Sequence, residues 1–578
     1  MILKRLDSSI STFHTITFKK GLNFILGARE KENTNTKDSY NGVGKSLIIE
    51  LIHFCLASNS VKELKELGNH WCELEFEHNG ETHIIRRFFD GTQQCFYNSE
   101  SISLNKLKDI LFEICFEISN SISGISFRSL ISRYIRRYKI NYSNCFNYVK
   151  GEQPAVTLLN NGYLLGIEPQ KILNKVQNKE LFSQLNSTKK SLQSDPVLID
   201  YFKGQGTIDF KIKDITDKLA KLYVERDNFQ VLENFDDLKK KSDNISFQTK
   251  QLINQRYILN SRIEKINLVL TKKDNIKIED VIRLYEDINI QLPSLTVKNI
   301  EEVLSFHNIL AQKRISTFEK QKEEYQATLD IINSKIQDNE KELSSILEVL
   351  SKYGALNDYN LLCKRIISLE NELEKTKDYK YLMKKYEKEI LLSKKKKAEI
   401  LIENQDYLES QQFMLDELMN IFRTYSRQFY VNKPSGLTIN VNNKDNKIAF
   451  DIDADIEGDS SDGINEVKIF CFDLTILMKN VCPINFLFHD SRLLANMDPR
   501  QRNIWLRIVS EIFNENSNLQ YIVSINEDVL VTMDDVADDS TKELISSTFS
   551  GENVRLRLTD KNPESKLLGM QINIRYDK

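Results

Sequence analysis

Hydrophobic positions recur at two different periods along this chain, and the change of period divides it into three regions. Over roughly the first 165 residues they fall in short β-type runs, TITF at 15–18, LNFIL at 22–26, CELEFE at 72–77 and THIIRRFF at 82–89, separated by turns carrying Gly or Asn. These predict a globular α/β lobe. From about Ile172 to Tyr425 the chain is rich in Lys, Glu, Leu, Ile and Asn with very little Gly or Pro, which suits a long helical segment. Within it Ile315, Phe318, Tyr325, Leu329, Ile332, Ile336, Leu343, Ile346 and Leu350 step by threes, fours or sevens, an a/d seam held over about five heptads. Ile245, Leu252, Leu259, Ile263, Ile266 and Leu270 follow the same rule on the other side of the region, while Pro196, Gly204 and Gly206 break the stretch before them.

Between the two seams LYEDINIQLPSL (284–295) carries Asn289 and Pro293, which stop helix propagation and mark a reversal of the chain. After about Gln428 strand-like runs return: LTINVNN (437–443), KIAFDIDADI (447–456), INFLFHD (484–490) and LQYIVSI (519–525). The pattern therefore predicts an N-terminal lobe at 1–168, an outgoing arm at 169–283, an apex at 284–300, a returning arm at 301–428 and a C-terminal lobe at 429–578. An antiparallel coil returns the chain to where it left, so each end can supply half of one site.

Composition narrows the class. With 578 residues, 28% charged and 40% hydrophobic, and only 8 Pro and 19 Gly, the chain is folded, helix-rich and built of more than one domain. Its charge of −3 leaves nucleic-acid binding to be argued from local basic stripes. The eight cysteines form no CxxC pair and have no close His partner, as expected of reduced thiols, and no metal-like histidine spacing occurs. MILKRLDSSISTFHTITF lacks the apolar core of a signal peptide, and no apolar run reaches membrane-spanning length, so a soluble cytoplasmic protein is expected.

The chemistry is concentrated where strand meets helix. LNFILG (22–27) is followed, after a polar insert, by Ser39-Tyr-Asn-Gly-Val-Gly-Lys-Ser46 and then by the apolar LIIELIHFCL (47–56). In this loop Gly42 and Gly44 would let the backbone wrap a phosphate, with Asn41 a further nucleotide-binding candidate, Lys45 would reach the β- and γ-phosphates, and Ser46 would hold Mg²⁺. Ser39 stands where the phosphate-loop pattern has its first Gly, and Gly27 takes that role if residues 28–39 loop out.

In INFLFHDSRLL the apolar run ends in Asp490, placed as a Walker B carboxylate for the Mg²⁺ shell. The Glu that usually follows is Ser491, unless His489 is the metal-side residue and Asp490 the base. GDSSDGINEVKIFCFDL (458–474) reads as a degenerate signature with Ser461 and Gly463, or as a polar loop with a helix cap. Asp498 in ANMDPRQR is a D-loop candidate and Asn526 in YIVSINED stands in the switch-histidine position, while no Q-loop glutamine is evident.

With these motifs in this order, the chain resembles the SMC-type ABC ATPases of chromosome organisation and break repair. More closely it is similar to the small bacterial coiled-coil ABC ATPases of three-component and Lamassu-like antiphage defence, on the interrupted NGVGKS, the LYEDINIQLP and LSFHNIL (304–310) segments, the GDSSDGI loop and the FHDS strand. The resemblance implies an α/β ABC-type P-loop ATPase head, assembled from N- and C-terminal segments and joined by a long antiparallel α-helical coiled coil. It also implies ATP and Mg²⁺, head-to-head homodimerisation, sensing of double-stranded DNA or its ends, and a separate nuclease-like effector with a small accessory subunit. Arg133, Arg136, Arg137 and Lys139, interleaved with Tyr134 and Tyr138, are the DNA-contact candidates, with a solvated helix face as the alternative. Asn526 and the missing Glu after Asp490 point to a slow, gated ATPase.

Overall fold

The computed structural model describes residues 1–28, 42–92, 94–116, 122–194, 208–229, 235–271, 295–351, 356–458, 462–516 and 518–570. They fall into two compact units, one built mainly from 1–179 and 397–578, the other from 180–275 and 305–396. Of the apex segment, residues 284–294 lie outside the described residues, and from Leu295 the chain is already in the helix that runs to Ser351.

The first unit holds a four-stranded parallel sheet in the order β10 (Phe486–His489), β11 (Gln520–Asn526), β3 (Gly21–Gly27), β12 (Val554–Leu558). Three of its strands come from the far end of the sequence and one from the beginning. β3 is buried at every position and β11 at all but its last, because neighbours cover both faces, which explains their unbroken apolar runs. Burial of each such Leu, Ile or Phe side chain contributes about 1.5–3 kcal/mol.

A second, six-stranded antiparallel sheet runs β2 (Ile16–Thr17), β1 (Ile2–Ser8), β4 (Trp71–His78), β5 (Glu81–Phe88), β6 (Gln94–Tyr97), β7 (Glu100–Ser103). Here burial alternates along WCELEFEH, with Cys72, Leu74 and Phe76 inside and the glutamates between them less buried, the signature of a strand covered on one face. The helix Lys45–Cys55 lies against β3 on one side and β4 and β5 on the other, and nearly all of its residues are buried. A hairpin of β8 (Ser435–Val441) and β9 (Phe450–Ile456) completes the unit's strands.

Long-range polar contacts tie the two ends of the sequence together. The buried Gln520 side chain accepts from Leu3 N–H at 2.9 Å and donates to the carbonyls of Leu3 at 2.8 Å and Lys19 at 2.9 Å. A single amide thus satisfies backbone groups about 500 residues away in sequence, and its loss would strand several buried partners.

In the second unit the helix Ile208–Asp227 pairs antiparallel with the helix Leu356–Ser410. Ile215 and Leu219 bury against Ile366, Lys211 bonds Glu372 at 2.9 Å, and the rings of Phe229 and Tyr359 lie 5.8 Å apart. The helix Phe235–Thr271 pairs antiparallel with Leu295–Ser351 through Ile245 and Ile346, Thr249 and Asn339 at 3.2 Å, and Arg262 over Tyr325 at 5.7 Å. Ile263, Ile266, Leu329, Ile332 and Ile336 are buried, as a heptad seam requires.

The arm also doubles back. Lys250 bonds Glu370 at 2.5 Å and Lys375 lies 5.7 Å over the Tyr257 ring, so Phe235–Thr271 runs beside Leu356–Ser410 with residue numbers rising together. In a straight arm these pairs would be roughly 50 Å apart at ~1.5 Å rise per residue. Ile208–Asp227 and Phe235–Thr271 therefore run in opposite directions, as do Leu295–Ser351 and Leu356–Ser410.

The first unit thus combines a parallel sheet, in which β11 lies between β3 and the acid-ending β10, with an antiparallel sheet packed against the helix Lys45–Cys55, and the second unit is built of paired helices.

Candidate nucleotide-binding site

β3 ends with Gly27 at the C-terminal edge of the parallel sheet, where open α/β sheets bind ligands, and the candidate loop is described from Gly42 on. Asn41 lies outside the described residues, as does most of the insert. Gly42 and Gly44 follow with φ of 81° and 108°, the left-handed region that favours glycine. Gly44 caps the helix Lys45–Cys55, and a Cβ there would fall 2.6 Å from Leu567 Cβ. The loop is closed from the other end of the chain, since Leu567 N–H donates to the Val43 carbonyl at 3.1 Å.

Gly27 meets the Lys45 side chain, whose Nζ would be 2.5 Å from any Cβ added at that glycine. The ammonium therefore folds back over the end of β3, which needs a residue without a side chain. Burial pushes Lys45 down to about 8, while Asp490 and Asp528 pull it up, so it remains mostly charged at neutral pH.

Ser46 and Asp490, 444 residues apart, meet at 2.8 Å, with the serine hydroxyl donating to Oδ2. Asp490 Oδ1 accepts from Ser491 Oγ at 2.9 Å, and Asp490 N–H donates to the Tyr142 hydroxyl at 2.9 Å. A hydroxyl and a carboxylate side by side at the strand edge, next to a buried lysine, form the oxygen-rich donor set that Mg²⁺ with a nucleotide requires. Asn526 adds a further polar atom: its Oδ1 is buried without a partner, and its backbone pairs in register with Gly27.

His489 has a different role. It is fully buried, with Nδ1 against the Tyr521 hydroxyl and Nε2 against Asp473 Oδ2, both at 2.9 Å. Burial lowers its pKa against the opposing pull of Asp473. Consecutive residues of a strand point to opposite faces, so Asp490 faces Ser46 while His489 faces the core. The alternative with His489 on the metal side is corrected by this geometry.

The basic cluster is corrected too. Arg133 and Arg136 are 0% and 1% exposed, and Arg137 is 7% exposed. Arg136 grips Asp473 with two bonds of 2.6 Å, Arg133 bonds Glu152 at 2.5 Å, and Arg137 bonds Glu50 on the helix Lys45–Cys55 at 2.8 and 2.9 Å. Buried, paired guanidiniums cannot reach a nucleic-acid backbone, whereas Lys139 is exposed.

Ser461 lies outside the described residues. Gly463 is buried in the first turn of the helix Asp462–Lys479, where a Cβ would come 2.9 Å from the Asn496 carbonyl. Asp498 caps the helix Pro499–Glu515 by accepting from Arg500 N–H at 2.9 Å. Tyr142, Asp473 and Glu50 were not evident in the sequence. The motif signal for them is absent, because each is defined by a partner distant in sequence.

A family profile described as "Uncharacterised protein conserved in bacteria (DUF2326)" matches residues 425–572. The chain is 25% identical over 572 residues to "Uncharacterized protein YydD" of Bacillus subtilis (strain 168), covering 92% of this chain and 94% of that one. Among solved structures it is similar to the Smc head domain with a coiled coil and joint derived from Pyrococcus yayanosii, at TM-score 0.37 and 16% identity over 93% of this chain and 94% of that one. It is also similar to the Smc head domain with an extended coiled coil bound to the C-terminal domain of ScpA, derived from Pyrococcus furiosus, at TM-score 0.33 and 11% identity over 92% and 91%.

Proposed function

We propose that this chain is an SMC-like ABC ATPase that binds ATP with Mg²⁺ and dimerises through its heads. In this reading it senses double-stranded DNA or its ends and controls a separate nuclease-like effector, with a small accessory subunit, in cytoplasmic antiphage defence. The observation that carries the nucleotide reading is the pairing of Ser46 with Asp490 at 2.8 Å beside the buried Lys45. Ser46 and Asp490 hold the metal, Lys45 neutralises the terminal phosphates, and amides of the Gly42–Gly44 turn cradle them. Mg²⁺, when bound, supplies charge neutralisation on the phosphates.

Head closure brings the loop of one copy against the Gly463 helix of another, so that ATP is held between two chains. In Lys45→Ala, ATP-dependent dimerisation measured by size exclusion with light scattering disappears, and normal ATP-dependent dimers of that variant refute the switch. For DNA contact the exposed Lys139 remains a candidate. No described helix is long and apolar enough to cross a membrane.

A second reading, a slowly hydrolysing scaffold, is favoured by Ser491 standing where a catalytic Glu is expected. DNA-stimulated phosphate release by the purified protein excludes it. A DNA-repair ATPase working with its own nuclease shares the head chemistry, and co-purified partners separate it from defence.

A further inference from the structure

Gly42 to Ser46 carry the phosphate-loop features, yet the residue after Asp490 has no carboxylate to act as a base. Ser491 gives its hydroxyl to Asp490 at 2.9 Å and its backbone N–H to Ser524 Oγ at 3.1 Å. Hydrolysis at this site needs a carboxylate from elsewhere. The nearby acids can be sorted by what already occupies them. Asp490 is engaged by Ser46 and Ser491, and Glu466 accepts from Asn496 N–H at 2.9 Å and its side-chain amide at 2.8 Å. Asp498 caps a helix, and Glu527 is paired with Arg557 at 3.0 Å. Asp528 differs from them: among the described residues no hydrogen bond or ion pair engages it, and it is exposed where water has access.

Its position follows from the sheet. β11 runs beside β3 with Asn526 opposite Gly27, and the Lys45 ammonium lies over Gly27. The helix Glu527–Asp535 begins immediately after Asn526, which puts Asp528 in its first turn next to the loop. Its charge acts on Lys45 second only to that of Asp490, and it heads the charges acting on Arg502. The carboxylate therefore lies within electrostatic reach of both cations, in the first turn after the C-terminal end of β11.

We propose that Asp528 is the catalytic carboxylate that orients the attacking water and takes its proton, replacing the acid missing after Asp490. The water oxygen bonds to the γ-phosphorus, the bond from that phosphorus to the β,γ-bridging oxygen breaks, and its electron pair leaves with ADP. The water proton passes to Asp528 and then to solvent, leaving ADP and inorganic phosphate. The proposal rests on the reading of this site as an ATPase.

The test compares full-length wild type with Asp528→Asn and Asp528→Glu. Three quantities are measured: phosphate release with and without linear DNA, affinity for a fluorescent ATP analogue, and the lifetime of the ATP-dependent dimer. Asp528→Asn is expected to lower turnover by about 100-fold or more, the scale of a lost general base. Its nucleotide affinity is expected to stay within about threefold of wild type. The dimer should persist longer, because the bound ATP is no longer consumed, and Asp528→Glu should recover part of the rate. Turnover in Asp528→Asn near the wild-type rate overturns the proposal, and so does loss of analogue binding in parallel with activity. Wild type that binds the analogue but releases no phosphate under either condition overturns the proposal alone. Wild type that fails to bind it overturns the ATPase reading itself.

Discussion

Replacing Arg136 with alanine separates a structural role from a DNA-contact role with a large predicted difference. The guanidinium makes two bonds of 2.6 Å to Asp473, stacks 4.0 Å from the Tyr148 ring and donates to the Cys145 carbonyl at 2.7 Å. Without it Asp473, whose side chain is fully buried, keeps only His489 and Tyr148 as partners. Breaking a buried pair from one side costs about 3–5 kcal/mol, because the remaining charge is left uncompensated in a low-dielectric interior. At ~2 °C per kcal/mol for a large domain, the melting temperature of the head should fall by roughly 6–10 °C. An exposed basic residue removed from a DNA-binding face changes stability by less than about 0.5 kcal/mol. The assay is thermal unfolding of Arg136→Ala and Lys139→Ala beside wild type, with DNA binding followed by fluorescence anisotropy across a salt series. An Arg136→Ala protein that melts within about 1 °C of wild type, while its DNA affinity falls and its salt dependence flattens, refutes the burial argument.

Two further outcomes follow from the same geometry. Gly27→Ala meets only the flexible end of Lys45, so the fold should lose no more than about 1 kcal/mol, whereas displacement of the ammonium should weaken ATP binding about tenfold or more, measured by titration with a fluorescent analogue. His53 and His489 are both buried with lowered pKa, chiefly by desolvation, so below their unfolded value of about 6.5 the unfolded chain takes up protons that the folded chain does not. Stability should therefore fall as pH drops from 7.5 to 5.5, by up to about 1.4 kcal/mol per pH unit for each histidine, and an unchanged urea midpoint contradicts this.

Local patterns carried the fold class. The β3 and β11 runs, the alternating β4 and the helical seam through Leu329, Ile332 and Ile336 all report on the neighbours that cover each residue, and that periodicity is written in adjacent positions. The Gly-Val-Gly-Lys-Ser loop was equally legible, because its backbone demands glycine at fixed spacing, and Gly27 could be suspected but was decided only by the fold of Lys45 across it. β1, β6, β7 and β12 went unread: each is short or mixed in polarity and gains its identity from the strand it pairs with.

Tertiary structure alone decided the rest, for a common physical reason. A charge is functional or structural according to what lies opposite it, and the partners here are remote in sequence: Arg136 with Asp473, Arg137 with Glu50, Ser46 with Asp490. Sequence spacing offered Arg133, Arg136 and Arg137 as a basic stripe, while packing turned all three inward. It favoured Asp490 as the metal-side residue and left His489 as an alternative, and the two faces of one strand separated them. The arm shows the same limit at larger scale: heptads located the seams through Ile245–Leu270 and Ile315–Leu350, but only the contacts of Lys250 and Tyr257 revealed that Phe235–Thr271 also lies beside Leu356–Ser410.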